Sequence, residues 1–215
     1  YYMHKHYGKT AAVSSMLLFI SFSDLFYRHA GRNADADALF ILLFTLAMLF
    51  MLQVQKHQNY IYVCGFLFSL AFLAKSWHAL VLLAIGGLYL IFSGLWRKLR
   101  LKNYLLFLAS AFGPILLWAL VRYQYDGMNF LGQMFGVDVT KRITESADSN
   151  PSYTFFTRYL LSCKPVVITA AIILIILAYL FIKKKIRYSN TVLAYLLWLF
   201  IPLLVYDFSH VYYYW

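Results

Sequence analysis

Cationic and acidic side chains in this chain fall in short clusters at the ends of long apolar runs. Gly31-Arg32-Asn33-Ala34-Asp35-Ala36-Asp37 sets an arginine and two carboxylates just before one run. Phe72-Leu73-Ala74-Lys75-Ser76-Trp77-His78 ends one run on a lysine and opens the next on a histidine. Val139-Thr140-Lys141-Arg142-Ile143-Thr144-Glu145 carries a basic pair, and Asp207-Phe208-Ser209-His210-Val211-Tyr212-Tyr213-Tyr214-Trp215 mixes polar and aromatic groups. The chemistry these types serve is anion binding. Arginine meets phosphate oxygens in a bidentate fork, and lysine holds them as a point charge. Lys141 and Arg142 make a ready clamp for phosphate or pyrophosphate, and Lys75 is a further cation suited to a phosphate.

The elements that must position these groups are membrane helices. The 215 residues are 63% hydrophobic, 20% aromatic and only 13% charged, whereas a soluble domain is about half apolar and about a quarter charged. A chain of this length cannot hide that excess in a soluble core. The net charge of +11 does not indicate nucleic acid, because the basic clusters sit between apolar runs, where they set orientation and meet anionic lipid headgroups. Apolar runs at 11–27, 38–54, 60–74, 79–96, 104–121, 163–182 and 190–206 predict an all-α, polytopic bundle of about seven spans. A span in lipid satisfies its backbone internally, and no alternating ten-residue strand pattern is present. Threading these spans puts 1–10, 55–59, 97–103 and 183–189 on one face, where every charged residue is Lys or Arg. Lys/Arg excess marks the cytoplasmic face. The opposite face receives 28–37, 75–78, 122–162 and 207–215, and the acidic residues all fall in these segments or, for Asp24, at the adjoining span end. The connection 122–162 is the large outer loop, and its stretch Met128–Val139 suits a short interfacial helix.

Each cluster also has a purely structural role. Asp35 and Asp37 suit a helix N-terminus, where the dipole favours acids. An acid at a membrane edge is nonetheless costly unless paired or used, which weighs toward use most strongly at Asp37. Lys75 can snorkel to headgroups, and Lys141-Arg142 can be a solvated turn. His78 suits packing or hydrogen bonding. The terminal aromatics suit an interfacial belt and equally a lipid or sugar groove. Cys64 and Cys163 form no metal or disulfide pattern. Walker, dinucleotide-binding, HExxH and Ser-His-Asp signatures are absent.

Taken in order, these residues resemble a family. Gly31-Arg32 and Asp37 before a long span, the Gly65…Phe72-Leu73-Ala74-Lys75 hairpin, Lys141-Arg142 ahead of Pro151-Ser152-Tyr153, and Ser209-His210…Tyr213 after a late span resemble the bacterial polyprenyl-phosphate-dependent glycosyltransferases of the GT-C fold. That group includes the protein O-mannosyltransferases and the lipid A aminoarabinose transferase. Two positions depart from the family pattern: Ser76 stands where glycine usually follows the hairpin lysine, and His210 stands where the last turn usually has lysine. The resemblance implies inverting transfer of a sugar from a polyprenyl-phosphate donor to a protein, lipid A or glycan acceptor, on the extracytoplasmic face of a bacterial inner membrane. It implies that Asp37 and Asp35 act as supporting carboxylates, while Lys75, Arg142, Lys141 and Arg32 hold the donor phosphate. His78, His210 and Tyr213 would line the acceptor groove. No cofactor is required by these residues, and a divalent metal stays open. The resemblance implies that the family's principal catalytic aspartate precedes Tyr1, so the expectation is one transmembrane glycosyltransferase domain cut at both ends and inactive alone.

Two other classes compete. A transporter or flippase would place charges near the bilayer midplane in broken helices, whereas here they sit at span ends. An O-antigen ligase or polymerase would share lipid-linked substrates and large outer loops. The carboxylate before the second span, coupled with the hairpin lysine, favours the transferase.

Overall fold

The structure is a computed structural model that describes residues 1–21, 36–136, 164–183 and 189–208. Every regular element among them is helical: α1 (Tyr2–Ser21), α2 (Ala36–Gln53), α3 (Tyr60–Lys75), α4 (Leu80–Phe92), α5 (Leu101–Asp126), α6 (Asn129–Phe135), α7 (Lys164–Ile182) and α8 (Asn190–Phe208). Short 3₁₀ turns at Ser76–Ala79 and Leu95–Arg97 flank α4. The chain divides into two compact units, Tyr1–Leu42 and Leu43–Trp215.

In the first unit α1 starts at Tyr2, well before the apolar run expected from residue 11, and breaks at Gly8 (φ 89°, ψ 176°). Only glycine enters that backbone region without a steric cost. Tyr2, His6 and Tyr7 cluster their rings before and around this break, with Tyr2 and His6 centroids 4.3 Å apart.

In the second unit the chain reverses between α2 and α3 and again between α3 and α4. Met51 and Val54 at the end of α2, Ile61 and Cys64 in the first half of α3, Tyr89 near the end of α4, and Leu95 and Leu99 share one buried cluster with Leu193 and Ala194 of α8. Only antiparallel neighbours bring those ends together. The same end is tied by polar groups. Gln58 Nε2 donates to the Lys98 carbonyl at 3.1 Å, Asn103 Nδ2 donates to Gln58 Oε1 at 2.8 Å, and the Tyr62 hydroxyl donates to Asn103 Oδ1. The two basic connections 55–59 and 94–100 are thereby joined to each other and to the start of α5.

α3 packs tightly against α5. A Cβ on Gly65 would lie 2.4 Å from Ser110 Oγ and 2.9 Å from the Phe107 carbonyl oxygen. Ala71 and Ala111 are fully buried nearby in sequence, and Phe68 meets Phe112 at 6.0 Å. Small residues that let backbones approach are how membrane helices associate, since lipid offers no hydrophobic drive between them.

Three stretches among the described residues are long and apolar enough to cross a bilayer: Ala36–Gln53, Tyr60–Phe92 and Leu101–Asp126. The second is apolar over 33 residues but bends back at Ser76–Ala79, so it is the hairpin α3–α4 rather than one rod. The expected count was about seven. α1 begins with the polar turns of residues 2–9, and the apolar part of α8 covers only Asn190–Pro202. α5 runs past both expected limits, 104 and 121, because Leu101–Asn103 and Arg122–Asp126 continue the helix. One face is left uncovered by the described residues, with Leu101, Leu105, Leu116 and Leu120 exposed, as a lipid-facing surface is.

Gly65→Ala is expected to lower stability by about 1–3 kcal/mol, the usual cost of overpacking a tight contact. Thermal unfolding in detergent checks this. Adding Ser110→Gly should recover only part of the loss, because the Phe107 carbonyl is backbone and stays in place.

Candidate functional site

α3 ends on Lys75, a cation placed in the last turn where the helix dipole favours it. The next residue, Ser76, takes φ 46°, ψ −127°, which makes it the non-glycine residue of positive φ among those described. This is a glycine conformation, costly for an L side chain by about 1–3 kcal/mol. The glycine usual at this position in the family resemblance thus answers a backbone demand, and serine meets it under strain. From there the 3₁₀ turn Ser76–Ala79 swings the chain into α4, with Ala79 fully buried.

The turn is held from two sides. His78 Nδ1 lies 3.1 Å from the Lys75 carbonyl. A carbonyl only accepts, so Nδ1 carries the proton. Trp77 Nε1 donates to the Met134 carbonyl of α6 at 3.2 Å. The Trp77 ring sits between Phe72, 5.7 Å away and edge-on, and Phe135 at 4.9 Å. The second ring pair across this end is Trp118 of α5 with the buried Phe130 of α6, at 5.7 Å. α6 itself starts after Gly127 (φ 57°), which turns the chain off the end of α5. One turn back on α5, Arg122 and Asp126 pair at i,i+4.

The result is an aromatic platform (Phe72, Trp77, Trp118, Phe130, Phe135) at one helix end, with the half-buried Lys75 and His78 on its hairpin. Lys75 stands about 22 Å along α3 from Tyr60, at 1.5 Å per residue, and so at the end opposite the Gln58–Asn103 polar tie. Aromatic faces with a nearby cation suit a sugar phosphate or an interfacial lipid head.

Of the residues singled out in the sequence, Lys75 and His78 are brought together here, on one turn. Asp37 is half-buried in the first turn of α2 and belongs to the first unit. Arg32, Asp35, Lys141, Arg142, His210 and Tyr213 lie outside the described residues. Among the described residues no three of His, Cys, Asp and Glu converge as metal ligands. Sequence reasoning passed over Trp77, Phe130, Phe135 and the Arg122–Asp126 pair. The signals were present: a tryptophan within a four-residue reversal, and a glycine closing α5 just before an apolar heptapeptide.

A family model described as dolichyl-phosphate-mannose-protein mannosyltransferase matches residues 1–128, more than half the chain. The match takes in Asp37, Lys75, Trp77, His78 and the Arg122–Asp126 pair, and ends at the threshold of α6. The chain belongs to this family of GT-C membrane glycosyltransferases. No curated protein and no solved structure matches it.

Ser76→Gly is expected to raise stability by about 1 kcal/mol, since relief of the strained backbone outweighs glycine's greater entropy when unfolded; denaturant or thermal unfolding in detergent checks it. Trp77→Phe keeps an aromatic ring but deletes the donor to Met134, a bond contributing about 1 kcal/mol. Amide exchange in Asn129–Phe135 should then speed up about fivefold while that of α3 stays unchanged.

Proposed function

We propose that this protein moves a sugar from a polyprenyl-phosphate donor to an acceptor (protein, lipid A or another glycan) on the extracytoplasmic face of a bacterial inner membrane, with inversion. The observation that carries the reading is the family match over residues 1–128, which spans both Asp37 and Lys75. The family's name specifies a lipid-phosphate-linked mannose as donor and protein as acceptor, and the broader donor class extends that chemistry.

In the reaction an acceptor oxygen forms a bond to the anomeric carbon from the face opposite the phosphate. The bond from that carbon to the phosphate oxygen breaks, and the lipid phosphate leaves with the electron pair. The acceptor's proton must pass to a base, and the phosphate's charge must be met by cations. Asp37, with Asp35, is assigned to positioning the acceptor hydroxyl. Lys75, Arg142, Lys141 and Arg32 are assigned to the donor phosphate, and His78, His210 and Tyr213 to the groove beside the acceptor. The Trp77 latch supports the role of Lys75, because a cation that stabilises a leaving group must be held in place before the charge develops.

The seven-span topology is part of the proposal. Basic connections 55–59 and 94–100 joined at one end, and Lys75, His78, Arg122 and Asp126 at the other, support basic residues inside and the chemistry outside.

The test is transfer of radiolabelled sugar from polyprenyl-phosphate sugars in membranes carrying the protein. Asp37→Asn should lower transfer sharply. Lys75→Ala should lower donor use by about tenfold or more, the scale of a lost charged hydrogen bond, with protein level and melting temperature unchanged. Normal transfer in both variants would overturn the residue assignments. No transfer from any lipid-linked sugar by well-folded protein would overturn the function.

A further inference from the structure

The basic end of the second unit leads into an apolar cavity. A space of about 330 Å³ lies among α2, α3, α4 and α5, with Met48, Cys64, Gly87, Tyr104, Leu108 and Phe112 in its wall. At about 30 Å³ for a water-sized group, it has room for roughly ten methylene-sized groups. The Tyr104 hydroxyl is occupied by the Trp96 carbonyl at 2.6 Å, and the Cys64 thiol by the Ala47 carbonyl at 3.5 Å. Water needs two to four polar partners, so such a space suits hydrocarbon rather than water. It opens sideways, since Leu108 and Phe112 on its wall are also exposed on the face of α5 that the described residues leave uncovered.

That opening connects to charge. Leu101, Leu105, Leu108 and Phe112 are all exposed and recur at helical spacing, forming one stripe about 16 Å long. At its head stand Arg97, Lys98, Arg100 and Lys102, all exposed. Residues 93–103 and 55–59 contain no acid, and among the described residues none of these four cations has an ion-pair partner. Arg97 lies over the Trp96 ring at 5.0 Å, which steadies a guanidinium at the level where aromatics sit in a membrane.

We propose that this end binds an anionic glycerophospholipid, with its phosphate among Arg97, Lys98, Arg100 and Lys102 and one acyl chain along the α5 stripe into the cavity beside Cys64. A polyprenyl phosphate shares this chemistry. The phospholipid is favoured because Lys75, the cation assigned to the donor phosphate, sits at the opposite end of α3; that choice rests on the function proposed above. The site is separate from the sugar-transfer site, so a lipid can hold the α3–α5 pair without competing with donor.

The purified chain in detergent is titrated with dioleoyl phosphatidylglycerol or dioleoyl phosphatidylcholine, and lipid retention is read by native mass spectrometry. Phosphatidylglycerol should be retained at least about tenfold more tightly. Replacing the four cations (R97Q/K98Q/R100Q/K102Q) should remove that preference, at roughly the effect expected for surface cations on anionic lipid, with the helical spectrum unchanged. Gly87→Phe, at a position where an added Cβ meets nothing within 4 Å, should fill the cavity and abolish retention with the charges intact. If that variant melts early, Leu108→Trp at the exposed rim closes the same opening. Equal retention of both lipids, or full retention in the filled variants, would overturn the proposal. So would displacement of phosphatidylglycerol by an equal amount of polyprenyl phosphate, which would give the cavity to the donor's chain. None of these readouts depends on sugar transfer, so failure here leaves the proposed reaction standing.

Discussion

Helices surrounded by hydrocarbon gain nothing from hiding apolar surface, so their association depends on how closely their backbones can approach. In this protein that approach is made at Gly65, where α3 lies against Ser110 and the Phe107 carbonyl with no space for a side chain. The α3–α5 pair is the frame on which the rest of the second unit is hung. α4 is reached by reversing off the end of α3, and α8 packs on α4. α6 turns off the end of α5 at Gly127. If α3 and α5 separated by the width of a methyl group, Phe68 and Phe112 would part, and the two ends of the pair would lose their register.

The two ends are built from different chemistry for a reason rooted in solvent. At the basic end, Gln58, Tyr62 and Asn103 satisfy one another and the Lys98 carbonyl, while Arg97, Lys98, Arg100 and Lys102 stay exposed and, among the described residues, without an acidic partner. At the other end the fastening is aromatic. Trp77 and Trp118 grip α6 through Phe135 and Phe130, with one indole N–H donated to a backbone carbonyl. Rings of this kind are at home where hydrocarbon meets water, and they leave Lys75 and His78 on a fixed surface.

Much of this was legible in the residues themselves. The long apolar runs announced α2, α3, α4 and α5 to within a few positions, and the Lys75–His78 interruption announced the reversal. What the sequence concealed is non-local. The end of α5 was read five residues short, because Arg122 and Asp126 look like loop residues until their i,i+4 pairing is seen. α1 was read as beginning near residue 11, because Tyr2–Lys9 is too polar to register as part of a membrane helix, yet it is helical up to and beyond a break at Gly8. Trp77 carries no signal of its partner in the sequence. Its partner, Met134, is a backbone carbonyl 57 residues on, and no side-chain pattern encodes that pairing. Gly65 was noted as part of a family motif, and the structure supplies its cause.

Ser76 holds a backbone geometry that serine resists, and it does so next to the cation assigned to the donor phosphate. A turn of that sort does not carry its own shape. Left to itself, the peptide Phe72–His78 would relax toward ordinary dihedral angles and Lys75 would swing with it. Part of the turn's support comes from residues 129–135 through the indole of Trp77, and the family match stops just short of them. Grafting the hairpin alone into another helical scaffold would transfer the residues but not the location of their charge.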